Sequence, residues 1–569
     1  MDRILRVDMT NLRVREEPYP AEWAALGGRA LGSRILLREV DPKCDPLGPD
    51  NKVVFAPGSL AGSAAPTSGR MSVCAKSPLT GGIKEANAGG QPGQKLMRLG
   101  YRAVVVEGQP KDPEKRYVLT ITKDGARIDE AQDLKGLRTY ACCEKLSGRT
   151  SKRAAFIVCG PAGELRFRGA SVALTDQDNR YPTRHAARGG LGAVMGAKGL
   201  KAIVVDDEGT SARTPKDPKT FKELVTNMTK AYKAGPQLFA LGTSASVPIA
   251  NMLHTFPTRN RREMQFEDAD KIDGARIVEN FETRGGGMHN CMSGCIVRCS
   301  NVVHGPDKSY VTSALEFETI ALMGSNCAVG DIDKIAKMDR LCDELGLDTI
   351  ETGGAFAVAM DGGKIAFGDA DAMIRLLEAV DKGSDELAVA VANGVVATGK
   401  KYGVPRIPAV KGQGIPAWEP RTLPATGVTY CTSPMGADHT AGLVIGAPDN
   451  DLARASQQAQ IVNAVCDSSG FCQFMQPTLE EMRRLFNAMY GLDLTEDDIV
   501  DYGWQCLQEE WEFNRKAGFT EADDRLPEWM STEAVPSNGA VFQVPPEEIR
   551  RVYTKMEKTP EFLAMKAVG

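Results

Sequence analysis

The pattern of apolar residues changes near residue 205, and this change limits the fold more than any other feature of the chain. Before it, short β-branched runs such as KVVFAPGSL, YRAVVVEG and RYVLTITKDG alternate with glycine-rich turns, which predicts strands joined by loops. After it, PKTFKELVTNMTKAYK and DIDKIAKMDRLCDELG repeat their apolar residues with the 3.6-residue period of a helix. We therefore predict an α+β fold, β-rich at the N-terminus and mainly helical afterwards.

A second boundary falls in KKYGVPRIPAVKGQGIPAWEPRTLPATG, where proline and glycine are dense. We predict three domains: a β-rich domain at residues 1–205, a helical domain at 206–410 and a second helical domain at 411–569. Three domains suit a chain of 569 residues, because one domain usually takes about 100–200 residues.

Composition excludes several functional classes. The net charge of −5 argues against general binding of nucleic acid, which requires a basic face. No apolar run approaches the about 18–20 residues that span a bilayer, and the first residues alternate like a strand instead of forming the apolar core of a signal peptide. We therefore expect a soluble, cytoplasmic protein, in which the 14 cysteines bind metal or are simply buried.

Three cysteines recur at four-residue intervals, at Cys291, Cys295 and Cys299, and Cys472 follows much later. Four thiolates suit an iron–sulfur cluster, because iron bonded to sulfide favours anionic sulfur ligands. Two alternatives stay open at this point. The three cysteines can be buried on one helix, or the site can hold zinc, although zinc sites more often show CxxC pairs or histidine.

Two short segments share the pattern of a carboxylate, two residues and a glycine. CDELGLDTIETGG contains Asp343 and Asp348, and AVCDSSGFCQF contains Asp467 immediately before the Cys472 segment. A carboxylate at a helix end can accept hydrogen bonds from the amino and ring N–H groups of a pterin-like heterocycle. The alternative for each segment alone is an ordinary helix end, with glycine in the left-handed conformation.

Glu318 in LEFET and His439 in MGADHTAG are candidates for acid–base chemistry, because a carboxylate and an imidazole can act around one reacting carbon. A single glutamate or histidine is more often a satisfied or solvated side chain. Nothing in the sequence alone shows that the two side chains meet.

The glycine-rich stretch GGLGAVMG at residues 189–196 resembles a dinucleotide-binding fingerprint. That fingerprint requires a strand directly before it and a helix after it. TRHAAR precedes it here and the predicted strand LKAIVVDD follows closely, so we reject the dinucleotide interpretation.

Taken in order, these segments resemble the aldehyde:ferredoxin oxidoreductase family of tungstopterin enzymes over the whole chain. The resemblance runs through GGRALGSRIL, TSGRMSVCAKSPLTG, EANAGGQPG, RHAARGGLGAVMGAKGLKAI, LEFETIALMGSN, CDELGLDTIETGG, MGADHTAG and DSSGFC. It implies that the N-terminal domain carries two pterins, whose dithiolenes hold tungsten or molybdenum, and that the two helical domains cover them. It also implies one [4Fe–4S] cluster and a magnesium ion that bridges the pterin phosphates.

The resemblance also implies a role for each matching residue. Asp343 and Asp467 would bind the two pterins, with Asp348 completing the first motif. The magnesium ligands would be Asn87 and the backbone carbonyl of His185. Arg70 and Arg184 would lie beside pterin and cluster, where a guanidinium offers forked donors. The cluster ligands would be Cys291, Cys295, Cys299 and Cys472, and the active-site acid–base pair would be Glu318 and His439.

Two departures from the family pattern affect these expectations. The family's first cysteine spacing is C-x2-C, whereas Cys291 stands one residue earlier, so its loop must bulge to reach the cluster. Archaeal members also carry an E-x-x-H metal pair at a dimer interface, where this chain has Lys337 and Arg340. We therefore expect a bacterial relative that forms a hetero-oligomer with separate iron–sulfur subunits.

The function implied by the resemblance is oxidation of aldehydes to carboxylic acids, or the reverse, with single electrons passing through the cluster to a ferredoxin or polyferredoxin-like subunit. Glu318 would activate water or the hydrated aldehyde, and His439 would polarise the carbonyl oxygen. Two alternatives are a relative that reduces an aromatic ring in a CoA thioester and a non-catalytic iron–sulfur electron carrier.

Overall fold

A computed structural model describes residues 2–177, 179–236, 239–447, 450–559 and 561–568. Strands dominate its N-terminal part and helices dominate the remainder, which confirms the predicted α+β class. The domain limits at residues 205 and 410 stay predictions.

The described residues form 17 strands, and these include the strands predicted from the β-branched runs. In chain order they are β1 (Arg3–Asp8), β2 (Arg13–Pro18), β3 (Val53–Pro57), β4 (Met71–Lys76), β5 (Ile83–Ala88), β6 (Tyr101–Glu107), β7 (Tyr117–Thr122), β8 (Gly125–Glu130), β9 (Ala155–Cys159), β10 (Val172–Leu174), β11 (Arg184–Ala186), β12 (Leu200–Val205), β13 (Gly286–His289), β14 (Ser300–His304), β15 (Tyr310–Ser313), β16 (Ala409–Val410) and β17 (Gln413–Gly414).

The N-terminal strands form two six-stranded sheets, ordered β2-β1-β6-β3-β4-β5 and β11-β10-β9-β12-β7-β8. Most neighbours are antiparallel, and the β1–β6 and β7–β12 pairs are parallel. Apolar side chains of both sheets, including Val53, Val104 and Leu119, share one buried core. The two sheets therefore pack against each other, and the outer strands β2 and β8 are the most exposed.

The first helices lie between the N-terminal strands, and helices predominate after β12. They are α1 (Gly28–Glu39), α2 (Pro92–Arg98), α3 (Thr139–Ser147), α4 (Pro161–Glu164), α5 (Leu191–Ala197), α6 (Pro218–Ala234), α7 (Ser246–Met252), α8 (Gly274–Arg284), α9 (Phe317–Thr319), α10 (Ile332–Leu345), α11 (Thr349–Asp361), α12 (Ala370–Ala379), α13 (Glu386–Ala392), α14 (Val395–Tyr402), α15 (Pro424–Thr432), α16 (Leu452–Ser469), α17 (Leu479–Tyr490), α18 (Glu496–Ala517), α19 (Trp529–Thr532) and α20 (Pro546–Arg550).

The glycine-rich stretch at 189–196 differs in detail from the prediction. A short strand, β11, does precede it, and the seven-residue helix α5 spans most of it. Its glycines are explained by packing: a Cβ at Gly192 would overlap the carbonyl of Ser171, and one at Gly196 would overlap the carbonyl of Gly163 at the end of α4. Close helix packing therefore accounts for this pattern without a nucleotide.

Within the described ranges, no helix is both long and apolar enough to cross a membrane.

Candidate active site

One cavity of about 350 Å³ collects most of the residues that the sequence singled out. Its wall includes Arg70, Asn87, Arg184, His185, Glu318, Asp343, Asp348, His439, Asp467 and Cys472. The other three predicted residues, Cys291, Cys295 and Cys299, form a buried cluster together with Cys472. Residues far apart along the chain, such as Arg70 and Cys472 at a separation of 402 positions, thus meet at one place.

Asp343 lies at the end of α10, followed by Gly346 in the left-handed conformation at φ 73°. The helix-end interpretation is therefore right, but it does not explain the surroundings of the Asp343 carboxylate. Asp343 Oδ1 is 3.0 Å from Nε2 of His185, while Oδ2 is buried and has no hydrogen-bond partner among the described residues. Such an orphan acceptor facing a cavity suits a ligand that donates N–H groups.

Asp348 caps the next helix and presents a second free oxygen. Its Oδ1 accepts a hydrogen bond of 2.9 Å from the backbone N–H of Ile350 at the start of α11. Its Oδ2 lies 3.5 Å from Nε of Arg188, and neither atom has a hydrogen-bond partner in the described part of the chain. The buried Arg188 lines the cavity and was missed by sequence reasoning, because a single arginine in a glycine-rich stretch carries no motif.

Asp467 lies near the end of α16 and repeats this geometry, with Gly470 left-handed at φ 91°. The loop is pressed against the first sheet, since a Cβ at Gly58 would overlap the Cα of Gly470. Burial raises the pKa of Asp467 well above its usual range, and the carboxylate of Glu85 raises it further, whereas Arg29, 3.5 Å away, opposes the shift. Burial thus disfavours the charged form of Asp467, although a carboxyl oxygen can accept a hydrogen bond in either protonation state.

The four thiols lie together beside two buried arginines. Nη1 of Arg70 is 3.9 Å from Sγ of Cys472. A hydrogen bond from the Cys295 thiol, together with the charges of Arg184 and Arg70, lowers the pKa of Cys291 to about 6 against the effect of burial. Despite the C-x3-C spacing, Cys291 lies in the same buried cluster as the other three cysteines, and the expected bulge stays a prediction. This donor set, four sulfur atoms beside two cations, fits an iron–sulfur cluster.

Thr67 forms hydrogen bonds with both parts of this cysteine cluster, the loop of the three close cysteines and the segment of Cys472. It was also missed by sequence reasoning. Its backbone N–H donates to the carbonyl of Gly294 at 3.0 Å, and its Oγ1 accepts from the N–H of Ile296 at 3.1 Å. Its carbonyl accepts from the N–H of Cys472 at 3.0 Å. One residue therefore sets the distance between the close cysteines and the remote one. Its position three residues before Arg70, in TSGR, is the only signal that the sequence offers.

Glu318 and His439 meet across the cavity. Oε1 of Glu318 lies 3.7 Å from Nδ1 of His439, and neither atom has a hydrogen-bond partner among the described residues. Oε2 of Glu318 is held by the backbone N–H of Ala417 at 2.7 Å. A π-helical turn at Ile320–Gly324 follows Glu318, and such turns often occur at functional sites. A molecule placed between the two side chains would contact both free atoms.

A buried ion pair supports the loop that carries His439. Nζ of Lys84 is 2.6 Å from Oδ2 of Asp438, and the Lys84 side chain is fully buried. Burial acts to raise the pKa of Asp438, but the charges of Lys84, Arg188 and His439 hold it well below its usual range. Nη1 of Arg188 also donates to the carbonyl of Ala437 at 2.6 Å. Both cations thus position His439 without touching it.

Asn87 lies on the cavity wall, and Arg70 occupies its acceptors. Nε of Arg70 donates to the side-chain oxygen of Asn87, and Nη2 donates to its backbone carbonyl at 3.0 Å. The magnesium site at Asn87 and the carbonyl of His185 stays a prediction. In the described ranges, no group of three or more histidine, cysteine or acidic side chains is placed to hold a single metal ion.

Two further acids line the cavity near Arg184. Burial raises the pKa of Asp339 well above its usual range, and Asp343, one helical turn later, raises it further. Burial also raises the pKa of Glu316, against the pull of Arg184. The one-turn spacing of Asp339 and Asp343 on α10 could have indicated the first of these acids from the sequence.

The positions of the family's dimer metal pair are used differently here. Lys337 is exposed, and the guanidinium of Arg340 lies 3.5 Å from the centre of the Tyr140 ring. Arg340 also bonds Glu344 at 2.9 Å, so its side chain is committed within the chain.

Comparisons with known proteins match the chain over most of its length. Residues 4–207 match the family model "Aldehyde ferredoxin oxidoreductase, N-terminal domain", and residues 222–558 match "Aldehyde ferredoxin oxidoreductase, domains 2 & 3". The tungsten-containing aldehyde ferredoxin oxidoreductase of Thermococcus kodakarensis is 33% identical over 575 residues, covering 94% of this chain and 92% of the relative. The aliphatic sulfonate oxidoreductase, WOR-like subunit, of Pyrococcus furiosus is 28% identical over 548 residues, covering 88% and 83%.

A solved structure shares the fold. It is the active site complex BamBC of benzoyl coenzyme A reductase with 1,5-dienoyl-CoA, which superimposes with a TM-score of 0.81 at 19% identity, covering 97% of this chain and 93% of that chain.

Proposed function

Since the chain belongs to the aldehyde ferredoxin oxidoreductase family, we propose that it oxidises aldehydes to carboxylic acids and delivers the electrons to a ferredoxin-type acceptor. Membership makes the chain an oxidoreductase and implies a tungsten bis-pterin cofactor. The observation that carries the proposal is the pair of free atoms on Glu318 and His439, 3.7 Å apart in the cavity.

The cavity suits the two pterins. Free oxygens of Asp343 and Asp348 face it near the first motif, and the second motif adds the buried Asp467. These carboxyl groups match the amino and ring N–H groups of a pterin. We propose Asp343 and Asp467 as the pterin-binding residues, and molybdenum in place of tungsten stays open.

The cysteine cluster suits one [4Fe–4S] cluster held by Cys291, Cys295, Cys299 and Cys472. Arg70 and Arg184 lie beside it and favour the anionic form of the sulfur ligands. Bound in this cavity, the tungsten–pterin centre would supply two-electron oxidation of the substrate, and the iron–sulfur cluster held by the four cysteines would supply one-electron transfer.

Glu318 and His439 divide the proton chemistry of the reaction. Glu318, held through Oε2 by Ala417 N–H, keeps Oε1 free to take a proton from water or from the hydrated aldehyde. His439 presents Nδ1 to the carbonyl oxygen, where an N–H donor polarises the carbon for attack. The aromatic rings of Phe317 and Trp418, 5.0 Å apart, form the wall beside them and exclude bulk water.

Reduction of an aromatic ring in a CoA thioester is the second candidate reaction. It is supported by the fold shared with the benzoyl coenzyme A reductase complex, although 19% identity carries the fold alone. We rank aldehyde oxidation first because the relatives at 31–33% identity are tungsten-containing aldehyde ferredoxin oxidoreductases. Reduction of benzyl viologen by a panel of aldehydes, compared with reduction driven by a dienoyl-CoA, separates the two reactions.

The direct test is Glu318→Gln, which keeps the shape of the side chain and removes its capacity to take a proton. We expect turnover with any aldehyde to fall by about 10²–10⁴-fold, the usual contribution of a general base. Metal and iron content should equal those of the wild type. Glu263→Gln, at an exposed glutamate, is the matched control. Unchanged turnover in Glu318→Gln removes this residue from the mechanism.

A further inference from the structure

The four cysteine thiols lie just beneath the surface of the protein. Four chain segments border them: 228–236, 239–245, 292–300 and 472–478. These segments carry Cys295, Cys299 and Cys472, or the rings of Tyr232, Phe239 and Phe474 that pack against the cysteines. Each of the four cysteines is at most 9% exposed, yet Gly294 and Arg298, in the same loop, are exposed. We call the outer face of these segments the exit surface.

The centre of the exit surface is apolar. The rings of Phe239 and Phe474 stack with centroids 4.1 Å apart and an interplanar angle of 23°. Both rings, together with that of Tyr232, pack against the cysteine cluster and are only partly buried. Leu241, two residues after Phe239, is 41% exposed. Partly exposed aromatic rings that pack against the thiols are accessible to another protein.

The rim of the exit surface is basic. Lys230, Lys233 and Arg298 are exposed, and the two lysines flank Tyr232 near the end of α6. Residues three apart on a helix lie on neighbouring positions of its surface. Asp and Glu make up 74 of the 569 residues, but the four segments contain none of either. A local excess of positive charge therefore stands out on a chain whose net charge is −5.

We propose that the exit surface is the docking site of a small acidic iron–sulfur protein. The inference rests on the proposed function and adds the place and the charge of the partner. An apolar centre with a charged rim is the usual anatomy of a transient interface. Opposite charge steers the partner during encounter, whereas the negative remainder of the chain repels it from other faces.

The stoichiometry of the reaction requires repeated docking. Each turnover converts one aldehyde and one water into one carboxylic acid, two protons and two electrons. A carrier that takes one electron at a time must bind, be reduced and leave twice in each turnover. A weak contact dominated by charge allows such rapid exchange, because steering raises the association rate without slowing dissociation.

The test compares two double variants with equal changes of net charge on one helix. Lys230→Glu/Lys233→Glu reverses the rim of the exit surface. Lys219→Glu/Lys222→Glu reverses two exposed lysines at the start of the same helix. Eleven residues separate the pairs, which corresponds to about 16 Å along a helix. Both variants keep every residue assigned to the cavity or the cysteine cluster.

The first readout is binding. The probe is an oxidised acidic ferredoxin with one [4Fe–4S] cluster, titrated calorimetrically into each protein at low and at physiological ionic strength. We expect the Kd at low ionic strength to rise about tenfold or more in the exit-surface variant and less than about twofold in the control. The salt dependence of the Kd should also become shallower only in the exit-surface variant. Equal losses in the two variants, or no loss, would overturn the proposal.

The second readout separates this inference from the proposed function. Aldehyde-dependent reduction of benzyl viologen, a small dye, should be the same in the wild type and both variants. Reduction of the ferredoxin should fall about tenfold in the exit-surface variant alone. A wild type that reduces the dye but neither binds nor reduces the ferredoxin contradicts the docking site and leaves aldehyde oxidation standing. A wild type with no aldehyde-dependent dye reduction contradicts the proposed function, while the binding titration still tests the surface.

Discussion

Lys84→Met should destabilise the loop that carries His439, because it leaves the carboxylate of Asp438 buried without its cation. Nζ of Lys84 is 2.6 Å from Oδ2 of Asp438, and the two side chains are 0% and 6% exposed. Oδ1 of Asp438 accepts hydrogen bonds from the N–H and hydroxyl of Thr440, at 3.2 and 2.8 Å. The ion pair thus holds the turn in which His439 sits.

The size of the effect follows from the charges that remain. Breaking a buried ion pair by removing one partner costs about 3–5 kcal/mol. Arg188 still lies near Asp438 and lowers its pKa in the folded protein, so we expect the lower end of that range, about 3 kcal/mol. A shift of about 1 Å at His439 would also reduce kcat by about 10²-fold.

The control is the double variant Lys84→Met/Asp438→Asn, which removes both charges. The new amide side chain keeps an oxygen for the hydrogen bonds from Thr440, and replacing a buried pair by neutral groups is often close to neutral in stability. We therefore expect the double variant to regain most of the lost free energy of unfolding, measured by denaturant titration of holoenzyme at matched cofactor content. A double variant as unstable as Lys84→Met alone would refute the reasoning that the buried charge causes the loss.

Two further predictions address the cysteine cluster and a buried acid. Thr67→Ala removes the hydroxyl that accepts the Ile296 N–H, a hydrogen bond that contributes about 1 kcal/mol locally. The variant should lose iron to a chelator faster than the wild type, with an unchanged circular dichroism spectrum. Equal rates of iron loss in the two proteins would contradict this role of Thr67. Glu351 accepts backbone N–H bonds from Val395 and Gly414, and burial raises its pKa to about 7, against the pull of Arg188. An acid whose pKa is raised in the folded protein makes its full contribution to stability below the unfolded pKa of about 4.5. The free energy of unfolding therefore falls by about 3 kcal/mol as pH rises to about 7. Glu351→Gln should lack this pH dependence when the free energy of unfolding is measured across that pH range. A pH profile parallel to that of the wild type would contradict the assignment of the effect to Glu351.

The sequence could predict those parts of the fold and the site that depend on local residue patterns. The β-branched runs became β3, β6 and β7, and the 3.6-residue period became α6 and α10. The two carboxylate–glycine segments are helix ends because Gly346 and Gly470 are left-handed. Such features depend on neighbours within a few residues, so they can be read without the fold.

The remainder depends on contacts between distant parts of the chain. Lys84 and Asp438 are 354 residues apart, and Arg188 meets the carbonyl of Ala437 across 249 residues. A lone lysine in a strand and a lone arginine in a loop give no periodic or spacing signal, although both are buried and bond the loop that carries His439. Even for Glu318 and His439, the resemblance named the residues but only the fold brings them to 3.7 Å.

The central claim is that Asp343, Asp467 and the cysteine cluster enclose one tungsten–pterin centre and one iron–sulfur cluster. The most direct measurement is the metal and pterin content of protein purified anaerobically from cells supplied with tungsten, molybdenum and iron. The account predicts pterin, about one tungsten or molybdenum atom and about four iron atoms per chain. Folded protein that contains iron but neither pterin nor a group-six metal would contradict it.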